Sequence, residues 1–327
     1  MSGLLRRPVP SPRSSETLLR DVSRSFYLSL RFLPGPVRSP LGLTYLLARA
    51  SDTLADTSLL PVPERILALN RLETAIHAPE PDALPDFAHI RVPHPGEQRL
   101  LLNTSAILAA FHAQPSAVCE AQRTVLSIIF AGQRQDLLTF DLASAEAPVA
   151  LPSPEALTRY TYAVAGCVGE FWTRLCALRL SRFARAPLHT LLEHGRLFGQ
   201  GLQLVNILRD LPEDLRSGRC YLPADQLAQI GLSPAELRSN PTAARPLFLH
   251  WLDTAQSWLS HGAHYEAGIR GLRLRFSVSL PRLLGVRTLR ALRLAPPLET
   301  EHRVKVSRKE VLHSALLALG RSAIPRA

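Results

Sequence analysis

Apolar residues recur along this chain of 327 residues at the three- and four-residue spacing that is typical of amphipathic helices. Leu and Ala dominate the apolar positions and favour helix, whereas the runs of Val and Ile that favour strands are scarce. No period of about 20–50 residues repeats, which argues against a solenoid. The pattern therefore predicts an all-α fold. The predicted helices cover 16–33, 41–54, 98–113, 115–140, 154–180, 187–211, 223–230, 234–240 and 246–272, with two or three more towards the C-terminus.

Composition divides the chain into three regions. Residues 1–15 are rich in Pro, Ser and Arg, and we expect them to form a flexible arm. Residues 16–295 are predicted to form one helical domain, because no break in the pattern clearly separates two cores. Residues 296–327 form a basic segment that we expect to pack on this domain or to extend it.

The formal net charge of the chain is +11, and nearly all of the excess lies near the C-terminus. From Arg270 to Ala327 there are 13 Lys and Arg residues against three Glu residues, a net charge of +10. Such a segment can bind nucleic acid, an anionic membrane surface or a phosphorylated small substrate. Leu and Val interleave the basic residues and no nucleic-acid motif accompanies them. We therefore expect no nucleic-acid partner.

The four cysteines form no CxxC pair, which argues against a disulfide framework or a zinc site. The first residues lack the apolar core of a signal peptide, and no uncharged apolar run reaches the roughly 18 residues of a membrane span. We therefore expect a cytoplasmic protein, and a peripheral contact with the inner face of the membrane is one interpretation of the basic segment.

A polar stripe lies on the predicted helix 41–54 and continues just past it. Tyr45, Arg49, Asp52 and Asp56 follow one another at steps of four, three and four residues, so they share one helical face. One interpretation is a solvated face with an ion pair between Arg49 and Asp52. The other is a cation site, because two carboxylates at this spacing repel each other by a few tenths of a kcal/mol unless they share a cation.

A second stripe lies in NILRDLPEDLRSGRCYLP, residues 206–223, and the residue before it. Its members step by three, four and four residues, and an Arg and a Glu stand beside them. Pro212 favours a turn, but only a helix that continues past it keeps the acids aligned. Amide and carboxylate oxygens suit Mg²⁺. The stripe comprises Gln203, Asn206, Asp210 and Asp214, with Arg209 and Glu213 beside it.

Five stretches, in this order along the chain, carry a family resemblance. SRSFYLSLRFLP (23–34), YLLAR (45–49), DTLAD (52–56), YTYAVAGCVG (160–169) and the stretch 206–223 resemble the motifs of the squalene/phytoene synthase family. The resemblance covers roughly residues 16–290. It implies an isoprenoid synthase-type helical bundle in which two aspartate-rich helices face a central cavity and bind an isoprenyl diphosphate with Mg²⁺.

The resemblance also assigns roles to individual residues. Tyr160 and the four aspartates are expected to be catalytic, and the aspartates with Asn206 are expected to bind Mg²⁺. A further group is expected to hold or orient the substrate. Core packing is the simpler interpretation of Phe26, and an N-cap or surface position is the simpler interpretation of Ser23 and Ser25. The metal ligands are Asp52, Asp56, Asn206, Asp210 and Asp214. The substrate group comprises Ser23, Arg24, Ser25, Phe26, Tyr45, Arg49, Gln203, Arg209, Glu213 and Arg219.

The start of the first acidic motif, DTL, is most like that of squalene synthases, which condense two farnesyl diphosphates and then need NADPH. The segment HRVKVSRKEV (302–311) holds both lysines of the chain. By resemblance, Lys305, Arg308 and Lys309 bind NADPH phosphates, and the alternative is a basic tail on anionic lipid. Phytoene, dehydrosqualene and hydroxysqualene synthases remain alternatives, as does a non-catalytic assembly factor. We expect a monomer.

The small residues of YTYAVAGCVG also have two interpretations. They would allow a long isoprenoid to lie close to the helix backbone, or they would allow two helices to pack closely. The sequence does not choose between these two.

Overall fold

The computed structural model describes residues 12–23, 26–57, 59–77, 85, 87, 89–295, 304 and 306–323. Helices dominate these residues and confirm the predicted all-α class. The helices are α1 (Pro12–Ser23), α2 (Phe26–Phe32), α3 (Gly35–Asp56), α4 (Val62–His77), α5 (Pro95–Leu102), α6 (Thr104–His112), α7 (Ser116–Thr139), α8 (Pro154–Thr161), α9 (Cys167–Arg179), α10 (Leu188–Arg216), α11 (Ala224–Gln229), α12 (Pro241–Gly268), α13 (Leu272–Leu294) and α14 (Arg308–Ala323).

The chain forms two compact units. The first ends at Leu137 and also includes Leu178–Leu180, and the second comprises Leu138–Ala177 and the described residues from Ser181 onward. The predicted boundaries of the helical domain and of the basic segment stay predictions. Most of the predicted arm, residues 1–11, lies outside the described residues.

Helix α3 lies at the centre of the first unit, where it packs against the helices on either side of it in sequence, α1, α2 and α4 to α6. Its apolar side chains Leu46, Leu47 and Leu54 are fully buried. From α7, the side-chain amide of Gln122 donates to the carbonyl oxygen of Pro40 and to the hydroxyl of Thr44, at 2.9 Å each. The Thr44 hydroxyl also donates to the Pro40 carbonyl, so the Gln122 amide ties α7 to this turn of α3.

Helix α10 has the corresponding position in the second unit, between α12 and the segment from α8 to α9. Glycines allow the backbones to approach closely. A Cβ on Gly169 of α9 would lie 1.9 Å from the carbonyl oxygen of Gly195 on α10, and one on Gly199 would lie 2.4 Å from that of Ala165. The small residues of 160–169 therefore serve helix packing, which supports the second of their two interpretations.

The sequence pattern missed two short strands. Val149–Leu151 (β1) pairs in parallel with Arg219–Pro223 (β2), and Val149 lies opposite Arg219. The chain turns into β2 at Gly218, whose φ of +83° is a conformation that favours glycine. Helix α10 ends at Arg216, so Arg219 lies on β2 and not on this helix.

Other boundaries also differ from the prediction. The first helix begins at Pro12 rather than at residue 16, and α4 was not predicted. The predicted helix 234–240 is only a short 3₁₀ turn, Pro234–Glu236. All four cysteines are free and buried, which agrees with the predicted absence of disulfides. Among the helices of the described ranges, none has the length and apolarity needed to cross a membrane.

Candidate active site

In the first unit, α3 carries the predicted stripe of Tyr45, Arg49, Asp52 and Asp56 on one continuous helix. The rest of α3 is largely buried, so the stripe is a polar band on an otherwise apolar helix. The Tyr45 hydroxyl donates a hydrogen bond to the carbonyl oxygen of Val22 on α1, at 3.3 Å. This bond ties the start of the stripe to the neighbouring helix.

Arg49 is the centre of this polar band. Its guanidinium forms the predicted ion pair with Asp52 and a second ion pair with Glu97 on α5. Its side chain is 27% exposed, and Nε is buried with no hydrogen-bond partner among the described residues. Glu97 was missed by the sequence analysis, because it lies outside the family motifs and 48 residues from Arg49.

The electrostatics of Asp52 indicate a carboxylate that would gain from a cation. Burial, followed by the nearby Asp56 carboxylate, raises its pKa to about 7, although Arg49 acts in the opposite direction. The Asp52 side chain is still 40% exposed, so a solvent-borne ion can reach it. Burial tends to lower the pKa of Arg49, but Asp52 and Glu97 raise it overall. The arginine therefore stays charged beside the two aspartates.

In the second unit, α10 carries the second stripe and continues through Pro212 to Arg216. The helical continuation that aligns the acids is therefore confirmed. Buried leucines such as Leu204, Leu208 and Leu211 cover the remaining faces. The stripe consists of Gln203, Asn206, Asp210 and Asp214, all half-buried, with Glu213 exposed next to it.

Arg209 forms a two-pronged ion pair with its neighbour Asp210. Nε lies 2.9 Å from Oδ1 and Nη2 lies 2.7 Å from Oδ2. The sequence pattern did not predict this pairing with the adjacent residue. The hydrogen bonds to Asp210 raise the pKa of Arg209. A metal ion on Asp210 would therefore share this carboxylate with the guanidinium.

Tyr160 lies in an aromatic cluster of the second unit. Its ring stacks on Tyr221 of β2, with centroids 4.7 Å apart, and the two hydroxyls are 3.3 Å apart. Phe140 meets Tyr221 edge-on at 5.3 Å, and the Arg219 guanidinium lies 6.0 Å from the Phe140 ring. Strand β2 therefore positions Arg219 and Tyr221 in this cluster. Tyr221 was not among the predicted site residues.

A π-helical turn, Tyr162–Gly166, follows directly after α8, which carries Tyr160. Such turns are rare and occur frequently at functional sites. Its Gly166 approaches Gln200 on α10, whose side-chain amide donates to the carbonyl oxygen of Thr158 at 3.1 Å. The segment that bears Tyr160 is therefore fixed to the helix that bears the second stripe.

The remaining predicted residues are described only in part. The Ser23 hydroxyl is buried and donates to the carbonyl oxygen of Leu19 within α1, which is a structural role in this structure. Arg24, Ser25 and Lys305 lie outside the described residues. Phe26 and Arg308 begin α2 and α14, but their side chains are not described, and Lys309 is exposed on α14.

The fit of Mg²⁺ rests on the donor set. Across the ranges that the structure describes, no three His, Cys, Asp or Glu side chains converge closely enough to hold a metal ion by themselves. Mg²⁺ is commonly held by one or two carboxylates, with waters and substrate phosphates as its other ligands. Asp52 and Asp56 on α3, and the acids of α10, match that pattern. Each stripe, taken by itself, thus fits a metal ion that the substrate helps to bind.

Comparison with known sequences places these residues in a family context. The model of the family "Squalene/phytoene synthase" matches residues 19–310. A bifunctional lycopene cyclase/phytoene synthase of Colletotrichum graminicola is 28% identical over 244 residues, which cover 71% of this chain and 38% of that protein. A squalene synthase of Mycosarcoma maydis is 25% identical over 286 residues, 82% of this chain and 48% of that protein. The chain spans less than half the length of these two relatives.

Solved structures agree on the fold. TcSQS in complex with a ligand gives a TM-score of 0.78 at 21% identity, covering 95% of this chain and 89% of that chain. A squalene synthase of Alicyclobacillus acidocaldarius gives 0.62 at 20% identity, covering 86% and 92%. At these identities the likeness shows the all-α fold alone. With the family match over residues 19–310, it follows that this chain belongs to the squalene/phytoene synthase family.

Proposed function

We propose that this chain is a Mg²⁺-dependent prenyltransferase that joins two farnesyl diphosphates head to head, through presqualene diphosphate, and reduces the product to squalene with NADPH. Members of the family are prenyltransferase-type enzymes whose substrate is an isoprenyl diphosphate. One observation carries the proposal. Helices α3 and α10 each place acids in line at four-residue spacing, with an arginine bonded to one of them.

The two arginines would stabilise the diphosphate as it leaves. Breaking an allylic C–O bond builds negative charge on the leaving group, and prepositioned cations lower that barrier. Arg49 is held by Asp52 and Glu97, and Arg209 by Asp210, so neither guanidinium needs to reorganise much. When bound, Mg²⁺ would supply further positive charge to the same group. Asp52 and Asp56 on α3 would bind Mg²⁺ together with waters and phosphate oxygens, and so would Asn206, Asp210 and Asp214 on α10.

The aromatic cluster would act on the hydrocarbon part of the substrate. A carbocation is stabilised by the face of an aromatic ring, and Tyr160 and Tyr221 offer stacked rings that are partly or wholly shielded from water. The Tyr160 hydroxyl donates a hydrogen bond to the Tyr221 hydroxyl at 3.3 Å. Tyr160 would therefore both steady the cation and accept or return a proton through Tyr221.

The reductive step rests on the resemblance alone. Of the three basic residues assigned to NADPH, only Lys309 has a described side chain, and it is exposed. Phytoene synthase activity is the alternative that a specific observation favours, because several relatives are named bifunctional lycopene cyclase/phytoene synthase. Dehydrosqualene or hydroxysqualene synthesis, and a non-catalytic assembly factor, are the remaining alternatives.

The metal assignment is tested with Asp210→Asn and Asp214→Asn in one chain. We expect the release of diphosphate from farnesyl diphosphate with Mg²⁺ to fall by at least about 100-fold. The matched control is Asp253→Asn on α12, whose side chain is 68% exposed and pairs with Arg293 on the surface. The control should keep its activity. Normal turnover by the double variant would show that the metal assignment is wrong.

A further inference from the structure

Gln200 is a buried polar side chain between α10 and the segment that carries Tyr160. It is 1% exposed, and it lies on α10 one turn before the second stripe begins at Gln203. A buried amide is costly unless its hydrogen-bonding atoms have partners. Both the oxygen and the nitrogen of the Gln200 side chain have them. The surroundings of this position therefore favour glutamine over an apolar residue.

The side-chain nitrogen of Gln200 bonds to the last turn of α8. Nε2 donates to the carbonyl oxygen of Thr158 at 3.1 Å and to the hydroxyl of Thr161 at 3.3 Å. Thr161 is fully buried, and its hydroxyl donates to the same Thr158 carbonyl at 2.9 Å. Tyr160 lies between these two threonines in sequence. The amide therefore holds the turn from which the Tyr160 side chain projects.

Arg196 fixes the orientation of this amide. From one turn earlier on α10, its Nη1 donates to Oε1 of Gln200 at 3.0 Å. A guanidinium has no acceptor atom, so the amide must present its oxygen to Arg196 and its nitrogen to the other side. Arg196 therefore keeps the donor of Gln200 on Thr158 and Thr161.

The turn that Gln200 holds is the junction between α8 and the π-helical turn Tyr162–Gly166. The Tyr162 N–H still bonds four residues back, to the carbonyl oxygen of Thr158. The Cys167 N–H instead bonds five residues back, to the carbonyl oxygen of Tyr162. The backbone pattern changes at this junction, so a side-chain bond from α10 fixes where the regular helix ends.

We propose that Gln200, oriented by Arg196, is a positioning residue that holds the Tyr160 hydroxyl against Tyr221. This role rests on the proposed function, in which Tyr160 acts on the substrate. Gln200 itself is too deeply buried to touch the substrate, so it acts through Tyr160. Other residues hold the diphosphate, and its loss should therefore lower kcat and leave KM nearly unchanged.

The first test measures the turn itself and needs no turnover. Gln200→Met keeps an unbranched side chain with good helix propensity but removes the amide. Hydrogen exchange of the backbone amides of 158–166 should become at least about tenfold faster. The matched control is Gln122→Met on α7, because the Gln122 amide also donates to one carbonyl oxygen and one threonine hydroxyl, both on α3. This control should leave exchange in 158–166 unchanged.

The second test asks whether Gln200 acts through Tyr160. With farnesyl diphosphate and Mg²⁺, Gln200→Met should lower kcat about tenfold and change KM by less than about twofold. Arg196→Met disturbs the same amide from a half-buried position, which a fold tolerates more easily, and should lower kcat about threefold. In a chain that already carries Tyr160→Phe, Gln200→Met should lower kcat by no more than about twofold.

An equal loss of kcat in both backgrounds would overturn the positioning role, because Gln200 would then act independently of Tyr160. Unchanged hydrogen exchange in 158–166 would overturn it as well. If the unchanged chain releases no diphosphate, the proposed function fails, and the exchange result alone decides whether Gln200 holds the turn.

Discussion

Gly169→Ala tests whether close packing of α9 on α10 holds the second unit together. The added Cβ would lie 1.9 Å from the Gly195 carbonyl oxygen and 2.4 Å from its carbonyl carbon. Both are backbone atoms, so no side chain can rotate away. Reaching even 3.0 Å from that oxygen requires the two helices to separate by about 1 Å.

The energetic balance favours a clear loss of stability. Overpacking of this kind costs about 1–3 kcal/mol, and sometimes more. Replacing a helical glycine by alanine returns about 0.5–1 kcal/mol of backbone entropy. We therefore expect the free energy of unfolding to fall by about 1–2 kcal/mol, and the melting temperature to fall by several degrees. The measurement is urea unfolding followed by circular dichroism.

Turnover gives an independent measure of the same change. The segment before α9 carries Tyr160, and α10 carries Asn206 and Asp210, so a shift of about 1 Å moves the aromatic cluster relative to these groups. Misplacement by that distance can cost about 100-fold in rate. The control is Gly320→Ala on α14, where an added Cβ meets nothing within 4 Å.

The control variant should be as stable as the unchanged chain, or more stable, and fully active. If Gly169→Ala unfolds at the same urea concentration as this control and keeps its turnover, the helices do not depend on the glycine contact. The account of how α9 and α10 are positioned would then be wrong.

Three further predictions concern individual contacts. Glu97→Gln removes one of the two carboxylates that hold Arg49 and should lower the free energy of unfolding by about 1–3 kcal/mol. The control Glu120→Gln, in an exposed pair with Arg123, should lower it by less than about 1 kcal/mol. Equal effects of the two variants would contradict the role of Glu97. Tyr221→Phe keeps the ring stacked on Tyr160 but removes the hydroxyl that accepts a hydrogen bond from Tyr160. We expect kcat to fall about three- to tenfold with little change in KM, and an unchanged kcat would exclude the hydroxyl from the reaction. Burial, followed by His264, lowers the pKa of His194, so the folded chain resists protonation and stability should be lost as pH falls through about 6.5. In urea unfolding at several pH values, His194→Gln should reduce that loss, and an identical pH profile would contradict this reasoning.

The two acidic stripes were predictable because helical spacing depends only on the order of residues. Once α3 and α10 are helices, Asp52 with Asp56, and Asp210 with Asp214, must share a face. The Arg49–Asp52 pair follows from the same geometry. The continuation through Pro212 was also predictable, since the acids lose their alignment if the helix stops.

Contacts between distant segments were not predictable. Glu97 reaches Arg49 from a helix 48 residues away, and Tyr221 reaches Tyr160 from a strand 61 residues away. No local pattern marks either contact, because each depends on how separate elements pack. The strand pair was missed for a related reason. A three-residue strand such as β1 gives too few positions to show an alternating pattern.

The pairing of Arg209 with Asp210 was missed because residue spacing alone does not determine which of two nearby acids an arginine bonds. The i,i+4 rule favours Glu213, but a fork of two hydrogen bonds to the adjacent Asp210 is stronger than one exposed ion pair. Helical periodicity therefore predicts which residues share a face and leaves open which of them bond.

The identity of the product tests the central claim most directly. The purified chain is incubated with farnesyl diphosphate and Mg²⁺, with and without NADPH, and the hydrocarbon product is identified by mass spectrometry. The account predicts diphosphate release in the presence of Mg²⁺ and squalene only when NADPH is present. Phytoene from geranylgeranyl diphosphate, with no product from farnesyl diphosphate, would contradict the proposed substrate. No diphosphate release from either substrate would contradict catalysis itself.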